Sequence, residues 1–222
     1  MLREKITELK HYLLKDASLV EDMLGRSIQG LLDKDQALLE EVINTNEPAA
    51  NDYDREIERM CVELIAQYEP VAIDLRLVIM IIKMNKDLER MADHAVNICE
   101  SGLFLLKNPV NGLSDKLKVM GDSTMNMLKN SINAFVNEDI ALANTVCDGD
   151  DIVDEAGDKI LKDLTELMRG KKDVIPRCLH VMRIAHNLER IADLSTNIAE
   201  EVIYIVEGKD IKHIQSSSTG SV

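Results

Sequence analysis

The sequence predicts an all-α protein made of two tandem three-helix bundles related by an internal duplication. Residues that favour helices, chiefly Leu, Ala, Met, Glu and Lys, are abundant, whereas Trp is absent and only two Phe occur. Apolar residues recur over long stretches at the helical spacing of about 3.6 residues. One polar segment is also written twice, 100 positions apart. Together these observations favour helical bundles over a sheet.

The first half begins with an apolar stripe at helical spacing over 2–31, which predicts a long first helix. Asp33 or Asp35 can cap a second helix, because a short carboxylate accepts hydrogen bonds from the free N–H groups of a first turn. We expect this helix to be interrupted at 46–48, where Pro48 removes a helix hydrogen bond, and to resume over 53–68.

Pro70 is expected to open the third helix, which ends near Lys107 before Asn108-Pro109. The second half repeats this order. Its periodicity predicts helices over 113–136, 139–169 and 176–206, with a turn at 170–173.

The repeated segment reads LERMADHAVNICE at 88–100 and LERIADLSTNIAE at 188–200, and eight of the thirteen positions are identical. Three amphipathic helices can close a bundle, so two copies of such a unit predict two repeats. We therefore assign the first repeat to 1–108 and the second to 109–210. The polar residues of 211–222 predict a disordered tail.

The charge of the chain restricts the classes of partner. A net charge of −14 repels nucleic acid and anionic lipid headgroups, so we expect no nucleic-acid binding. The longest apolar run, LVIMII at 77–82, is far shorter than the ~20 residues of a spanning helix, and the charged N-terminus does not resemble a secretory signal. We expect a cytoplasmic protein that is at most peripheral to a membrane, through its partners.

The cysteines and histidines are not expected to form a site. The four cysteines lack CxxC spacing, and three of them align with apolar residues of the other repeat, which indicates reduced packing residues. His94 and His186 lie near the repeated segment, but their counterparts are Leu194 and Lys86. A ligand needed in both repeats would be kept, so we expect both histidines on the surface.

The repeated segment retains polar residues, which packing alone does not require. At about 100° per residue, Asp93, Asn97 and Glu100 fall within roughly 80° of Glu89, beside the apolar seam. We call the first acidic face the set Asp54, Glu58, Glu89, Asp93, Asn97 and Glu100. The second acidic face is the set Asp154, Asp158, Glu189, Asp193, Asn197 and Glu200, with Asp150 beside it.

Carboxylates four residues apart on a helix repel each other, so two copies of this arrangement indicate a bound cation. Oxygen ligands suit Mg²⁺, Ca²⁺, Mn²⁺ or iron. The residues of both faces are therefore candidate metal ligands. The alternative is a solvated stripe that nearby basic side chains neutralise, among them Lys83, Lys86, Arg90 and Arg190.

The two repeated segments and the C-terminal EEVIYIVEGKDIKH resemble the PhoU family, as does the EPVAIDLR stretch that opens the third helix. The resemblance covers nearly the whole chain. It implies a cytoplasmic, non-enzymatic protein that restrains phosphate uptake and the phosphate-starvation response. It also implies iron or zinc clusters on the Glu-xxx-Asp motifs, and contacts with the importer's ATPase subunit and a phosphate-sensing histidine kinase. We further expect a homodimer.

Two other functions are compatible with an acidic helical bundle. A di-iron carboxylate enzyme needs Glu-x-x-His on two helices of one bundle, and only Glu8 and His11 have this spacing. A metal-free helical adaptor would show the same periodicity without binding an ion. Metal analysis of the protein purified without chelator distinguishes the adaptor from the metal-binding protein.

Overall fold

The computed structural model describes residues 1–110, 112 and 114–207, which are helical and contain no strand. The all-α prediction is confirmed. The α-helices are α1 (Leu2–Asp33), α2 (Gln36–Glu41), α3 (Glu47–Tyr68), α4 (Ala72–Lys107), α5 (Ser114–Asn137), α6 (Ile140–Gly170) and α7 (Ile175–Glu207). A π-helical turn covers Val42–Asn46, and a 3₁₀ turn covers Lys172–Val174.

Both halves turn from their first helix into the next in the same way. Lys34 and Glu138 have positive φ angles of 58° and 53°. The Asp35 carboxylate then accepts hydrogen bonds from the backbone N–H groups of residues 37 and 38, and the Asp139 carboxylate accepts one from that of Leu142. Asp35, and not Asp33, is therefore the cap of the second helix.

The predicted interruption at 46–48 is wrong. The π-helical turn leads directly into α3, and the N–H of Glu47 reaches the carbonyl of Val42, five residues back. Pro48 then lies in the first turn of α3, where a missing N–H is tolerated. The sequence argument failed because it assumed one unbroken α-helical register, whereas the π turn changes the register just before the proline.

Helices α1, α3 and α4 pack as one bundle, and α5, α6 and α7 pack as the other. The bundles join through α1 against α5 and through α4 against α7. The last pair is antiparallel: Phe104 stacks on His180 with ring centroids 3.9 Å apart, and Lys83 donates to Glu201 at 2.9 Å. The buried apolar residues of both bundles form one continuous core.

The sequence also predicted the repeat boundaries, the state of the tail, the role of the cysteines and the absence of a membrane-spanning helix. The repeat boundaries at 1–108 and 109–210 remain predictions, and the tail at 211–222 lies outside the described residues. Cys61, Cys99 and Cys178 are buried free thiols and Cys147 is half-buried, as expected of packing cysteines. In the described part of the chain, no helix has the length and apolarity needed to cross a membrane.

Candidate metal-binding faces

The first acidic face forms where α3 lies along α4. Asp54 on α3 lies near Glu89 on α4, and both Asp54 and Glu58 face Lys86 of α4. Partial burial raises the pKa of Glu89 above its usual value, and the charges of Asp93 and Asp54 raise it further. Helices α3 and α4 therefore pack against each other, with Asp54 and Glu89 near one another.

This face contains its own cation, the ammonium group of Lys86. Its Nζ donates to Oδ1 and Oδ2 of Asp54 at 3.0 and 3.1 Å, and Glu58 lies 4.0 Å away. The hydrogen bond to Asp54 raises the pKa of Lys86. Lys86 thus neutralises part of the first face, as expected if the face is a solvated stripe balanced by nearby basic side chains.

Near Asp54, the first bundle buries two further polar side chains, those of Asn85 and Asp16. Asn85 donates from Nδ2 to Oδ1 of Asp54 at 2.6 Å, while its own Oδ1 is buried without a partner. Asp16 on α1 is 1% exposed, and its Oδ1 has no hydrogen-bond partner. Burial, together with the nearby charge of Asp54, raises the pKa of Asp16 to about 7. Burial therefore favours the protonated form of this carboxyl group far more than solvent would.

Asn97 and Glu100, which belong to the same stripe, contact a different partner. Arg183 of α7 donates to Oδ1 of Asn97 and to Oε2 of Glu100, the second at 2.9 Å. These two residues therefore form a polar link between the bundles, and their role as metal ligands stays a prediction.

The second acidic face forms in the same way from α6 and α7. Burial raises the pKa of Asp150 to about 6, with further contributions from the charges of Asp154 and Asp193. Burial and the charge of Asp193 also raise the pKa of Asp154. The Oδ1 atom of Asp150 is buried without a hydrogen-bond partner. These carboxylates repel one another across the α6–α7 contact, which is the electrostatic condition that favours a cation.

Basic side chains neutralise Asp150 and Asp154 less than Lys86 neutralises Asp54. Arg190 reaches Asp193 at 3.1 Å from the same helix. His186 occupies the position of Lys86 and is exposed. In the described residues, neither Asp150 nor Asp154 forms an ion pair within 4.0 Å.

In the conformation that the structure shows, neither face is a preformed metal-binding site. In the residues that the structure describes, no three His, Cys, Asp or Glu side chains converge closely enough to hold a metal ion. The donor atoms are oxygens of the kind that hard cations prefer, but coordination requires side chains to turn towards a common point. The metal assignments of both faces therefore stay predictions.

The structure corrects one expectation about the histidines. His94 is half-buried between α4 and α7, and its Nδ1 lies 2.7 Å from Oδ1 of Asn187. It was expected on the surface because Leu194 replaces it in the other repeat, but His94 lies at the contact between the bundles. His186 is exposed, as expected.

Sequence reasoning missed Asp16 and Arg183. Asp16 interrupts the apolar stripe of α1 between Leu13 and Val20, and a charge on such a stripe is a signal that could have found it. Arg183 gave no comparable signal, because its partners lie on α4, more than eighty residues earlier.

A duplicated three-helix bundle with a carboxylate face on each half defines a class of α-helical proteins with two related acidic sites. The family model described as the PhoU domain matches residues 13–102 and 117–202, and the chain belongs to the PhoU family.

Relatives and solved structures agree with this assignment. The chain is 34% identical over 222 residues to the phosphate-specific transport system accessory protein PhoU homolog 1 of Thermotoga maritima, covering 98% of this chain and 95% of that protein. The crystal structure of PhoU from Pseudomonas aeruginosa superposes with a TM-score of 0.91 at 30% identity, covering 94% of this chain and all (100%) of that one. For the phosphate transport system regulatory protein PhoU from Streptococcus pneumoniae, the TM-score is 0.87 at 30% identity, with coverage of 96% and 100%.

Proposed function

We propose that this chain is an accessory protein of phosphate-specific transport that regulates uptake by binding other proteins. The observation that carries the proposal is the match of the PhoU domain to both halves of the chain. Relatives at 34% identity over nearly their full length are named as accessory proteins of this transport system. The protein acts by association, and no catalytic step is assigned to it.

The proposed partners are those that the family resemblance implies. On the cytoplasmic side of the membrane, the chain contacts the ATPase subunit of the phosphate importer and a phosphate-sensing histidine kinase. When phosphate is sufficient, these contacts hold uptake and the phosphate-starvation response in their repressed states. The net charge of −14 supports binding to basic protein surfaces.

Deleting the gene tests this function directly. We expect phosphate-starvation genes to be expressed constitutively in phosphate-rich medium, because the repressing contacts are lost. A transcriptional reporter measures the effect, and expression of the wild-type chain from a plasmid is the control. Reporter activity that stays repressed in the deletion strain would rule out the regulatory assignment.

We also propose that the acidic faces bind metal ions, and that the second face binds them more tightly. The support is the unpartnered Oδ1 of Asp150 and the mutual repulsion of Asp150, Asp154 and Asp193. The residues that would hold the ion there are Asp150, Asp154, Glu189 and Asp193. Iron or zinc is the expectation from the family resemblance, while Mg²⁺, Ca²⁺ and Mn²⁺ suit the same oxygens. A bound cation would relieve the repulsion and draw α6 and α7 together.

A matched pair of double variants tests the metal proposal. Glu189→Ala with Asp193→Ala should lower the metal content of the purified protein more than Glu89→Ala with Asp93→Ala does. Helicity should stay close to wild type in both, since each change removes a like-charge pair from a helix surface. Elemental analysis and circular dichroism measure the two effects. If both variants keep the full metal complement, or if the wild-type protein contains no metal, the metal-free adaptor is the better description.

A further inference from the structure

A groove of about 460 Å³ runs between α6 and α7 beside the second acidic face. Its floor is apolar and is formed by Gly157, Ile160, Leu161, Leu164, Met182 and Ala185. Leu161 is 44% exposed although it belongs to this floor. The groove therefore presents apolar surface that the fold itself does not cover.

Helix α6 presents a different face to its bundle from the one that α3 presents. Ile57 and Cys61 of α3 are 0% exposed, whereas Leu161, one hundred positions after Cys61, is 44% exposed and lines the groove. The buried residues of α6 are instead Val153, Ile160 and Leu164, among others. The groove therefore lies beside a part of α6 that packs differently from α3.

The fold does not require a glycine at position 157. A Cβ atom there would lie 3.4 Å from Cε of Met120 and 3.8 Å from Oε2 of Glu189, which are ordinary contact distances. A glycine within a helix costs about 1 kcal/mol relative to alanine. The glycine therefore lowers helix stability without being needed to avoid a clash.

The charges at the groove favour a basic ligand. Asp158 and Glu189 line it, and the charges of Asp154 and Asp158 repel each other on α6. The one arginine among its lining residues, Arg183, is engaged with Asn97 and Glu100 of α4. The rim is therefore negative where the floor is apolar.

We propose that this groove binds an amphipathic helix of a partner protein, with a Leu, Ile or Met side chain on the floor and Lys or Arg at the rim. Apolar anchors at i and i+4 are the usual means by which a helix binds a groove between two others. Acidic rim residues select basic partners and exclude acidic ones. The inference rests on the proposed protein-binding function and locates one of its contacts.

The test uses the full chain in buffer with chelator, so that metal does not contribute. The probe is a fluorescent helical peptide with Leu at i and i+4 and Lys on either side, and its affinity is measured by anisotropy. Peptides with Ala in place of Leu, or Glu in place of Lys, are the ligand controls. We expect both to bind at least roughly tenfold more weakly than the Leu/Lys peptide.

Two variants test the floor of the groove. Gly157→Leu fills it and should weaken binding of the Leu/Lys peptide by roughly tenfold or more. Leu161→Glu alters the same floor at an exposed position, so the test remains if Gly157→Leu fails to fold. The Met182 methyl resonance should shift when the peptide binds to the wild-type protein.

Two charge reversals test the rim. Asp158→Lys should weaken binding by roughly two- to fivefold, as expected of an exposed ion pair. Glu166→Lys, an exposed position on α6 outside the groove, changes the net charge equally and should leave affinity within about twofold of wild type.

Three results would overturn the proposal. The Ala/Lys peptide could bind as tightly as the Leu/Lys peptide, or both floor variants could retain wild-type affinity. Gly157→Leu could instead abolish self-association in sedimentation experiments, which would make a second copy of this chain the occupant.

A normal deletion phenotype with specific peptide binding would reject the transport function and keep the groove. Constitutive expression in the deletion strain without specific peptide binding would reject the groove alone.

Discussion

The two halves of the molecule carry the same motif on equivalent helices, but they balance its charge differently. In the first half, Lys86 donates to both carboxylate oxygens of Asp54. In the second half, His186 takes the place of Lys86, and Asp150 lies near the carboxylates of Asp154 and Asp193. Duplication has therefore kept the backbone and the motif, while neighbouring substitutions have left Asp150 without the ion pair that Lys86 gives to Asp54.

The interiors of the halves differ in the same manner. The first bundle fills the space beside α4 with Ile57 and buries the carboxyl group of Asp16. The second bundle has a groove lined by Gly157 and Leu161 of α6, and Met120 lies close to Gly157. The comparison indicates that the first half is specialised for packing and the second for binding, and substitutions in each half test that division.

The largest expected effect is on packing, at Ile57 in the first bundle and Gly157 in the second. Ile57→Ala should lower the free energy of unfolding by about 2–5 kcal/mol, because it leaves a cavity in a closed core. Gly157→Ala should raise it by up to about 1 kcal/mol, since it restores helix propensity without a clash. Urea denaturation measures both. Effects of the same sign at the two positions would contradict the proposed difference between the halves.

The next effect is on the pH dependence of stability, through the buried acids Asp16 and Asp150. Their pKa values are raised from 3.8 to about 7 and about 6 in the folded protein, so the folded state binds protons more tightly than the unfolded chain. Each group therefore favours folding at low pH and loses that contribution as the pH rises from about 4 to its folded pKa.

Asp16→Asn should remove most of the decline in stability between about pH 4 and pH 7. At one pKa unit per 1.36 kcal/mol, the wild-type decline from this group is at most about 4 kcal/mol. Asp150→Asn should have a smaller effect that is complete by about pH 6. Denaturation midpoints measured across this pH range give the difference curves. Curves for Asp16→Asn and wild type that run parallel would show that Asp16 does not titrate in this window.

The smallest effect is on the relative metal affinity of the faces, which Lys86 and His186 adjust. Lys86→Ala should strengthen Mn²⁺ binding at the first face, and His186→Lys should weaken it at the second. Each change should be less than about tenfold, because Lys86 is 45% exposed and solvent screens its charge. Titration calorimetry with Mn²⁺ measures both variants against wild type. Equal affinities in all three proteins would mean that the ammonium group does not compete with a metal.

The sequence by itself determined the helices, the duplication and the alignment of each set of carboxylates along one helix face. Apolar periodicity predicted α1 and α4–α7 closely, and the thirteen-residue repeat located the motif on α4 and α7. These features are local, because 3.6 residues per turn sets which side chains share a face whatever the helix packs against. The continuous helix through Pro48 departs from this only because a π turn shifted the register.

Only the tertiary structure decided which side chains from other helices lie against each acidic face. It placed Arg183 against Asn97 and Glu100, and it brought Asp16 close to Asp54. It also placed the half-buried His94 against Asn187 and left Gly157 beside an open groove. These contacts join helices that are far apart in the chain, so they depend on the crossing angle and axial register of packed helices. Both are set by the interlocking of many side chains at once, and no short stretch of sequence encodes them.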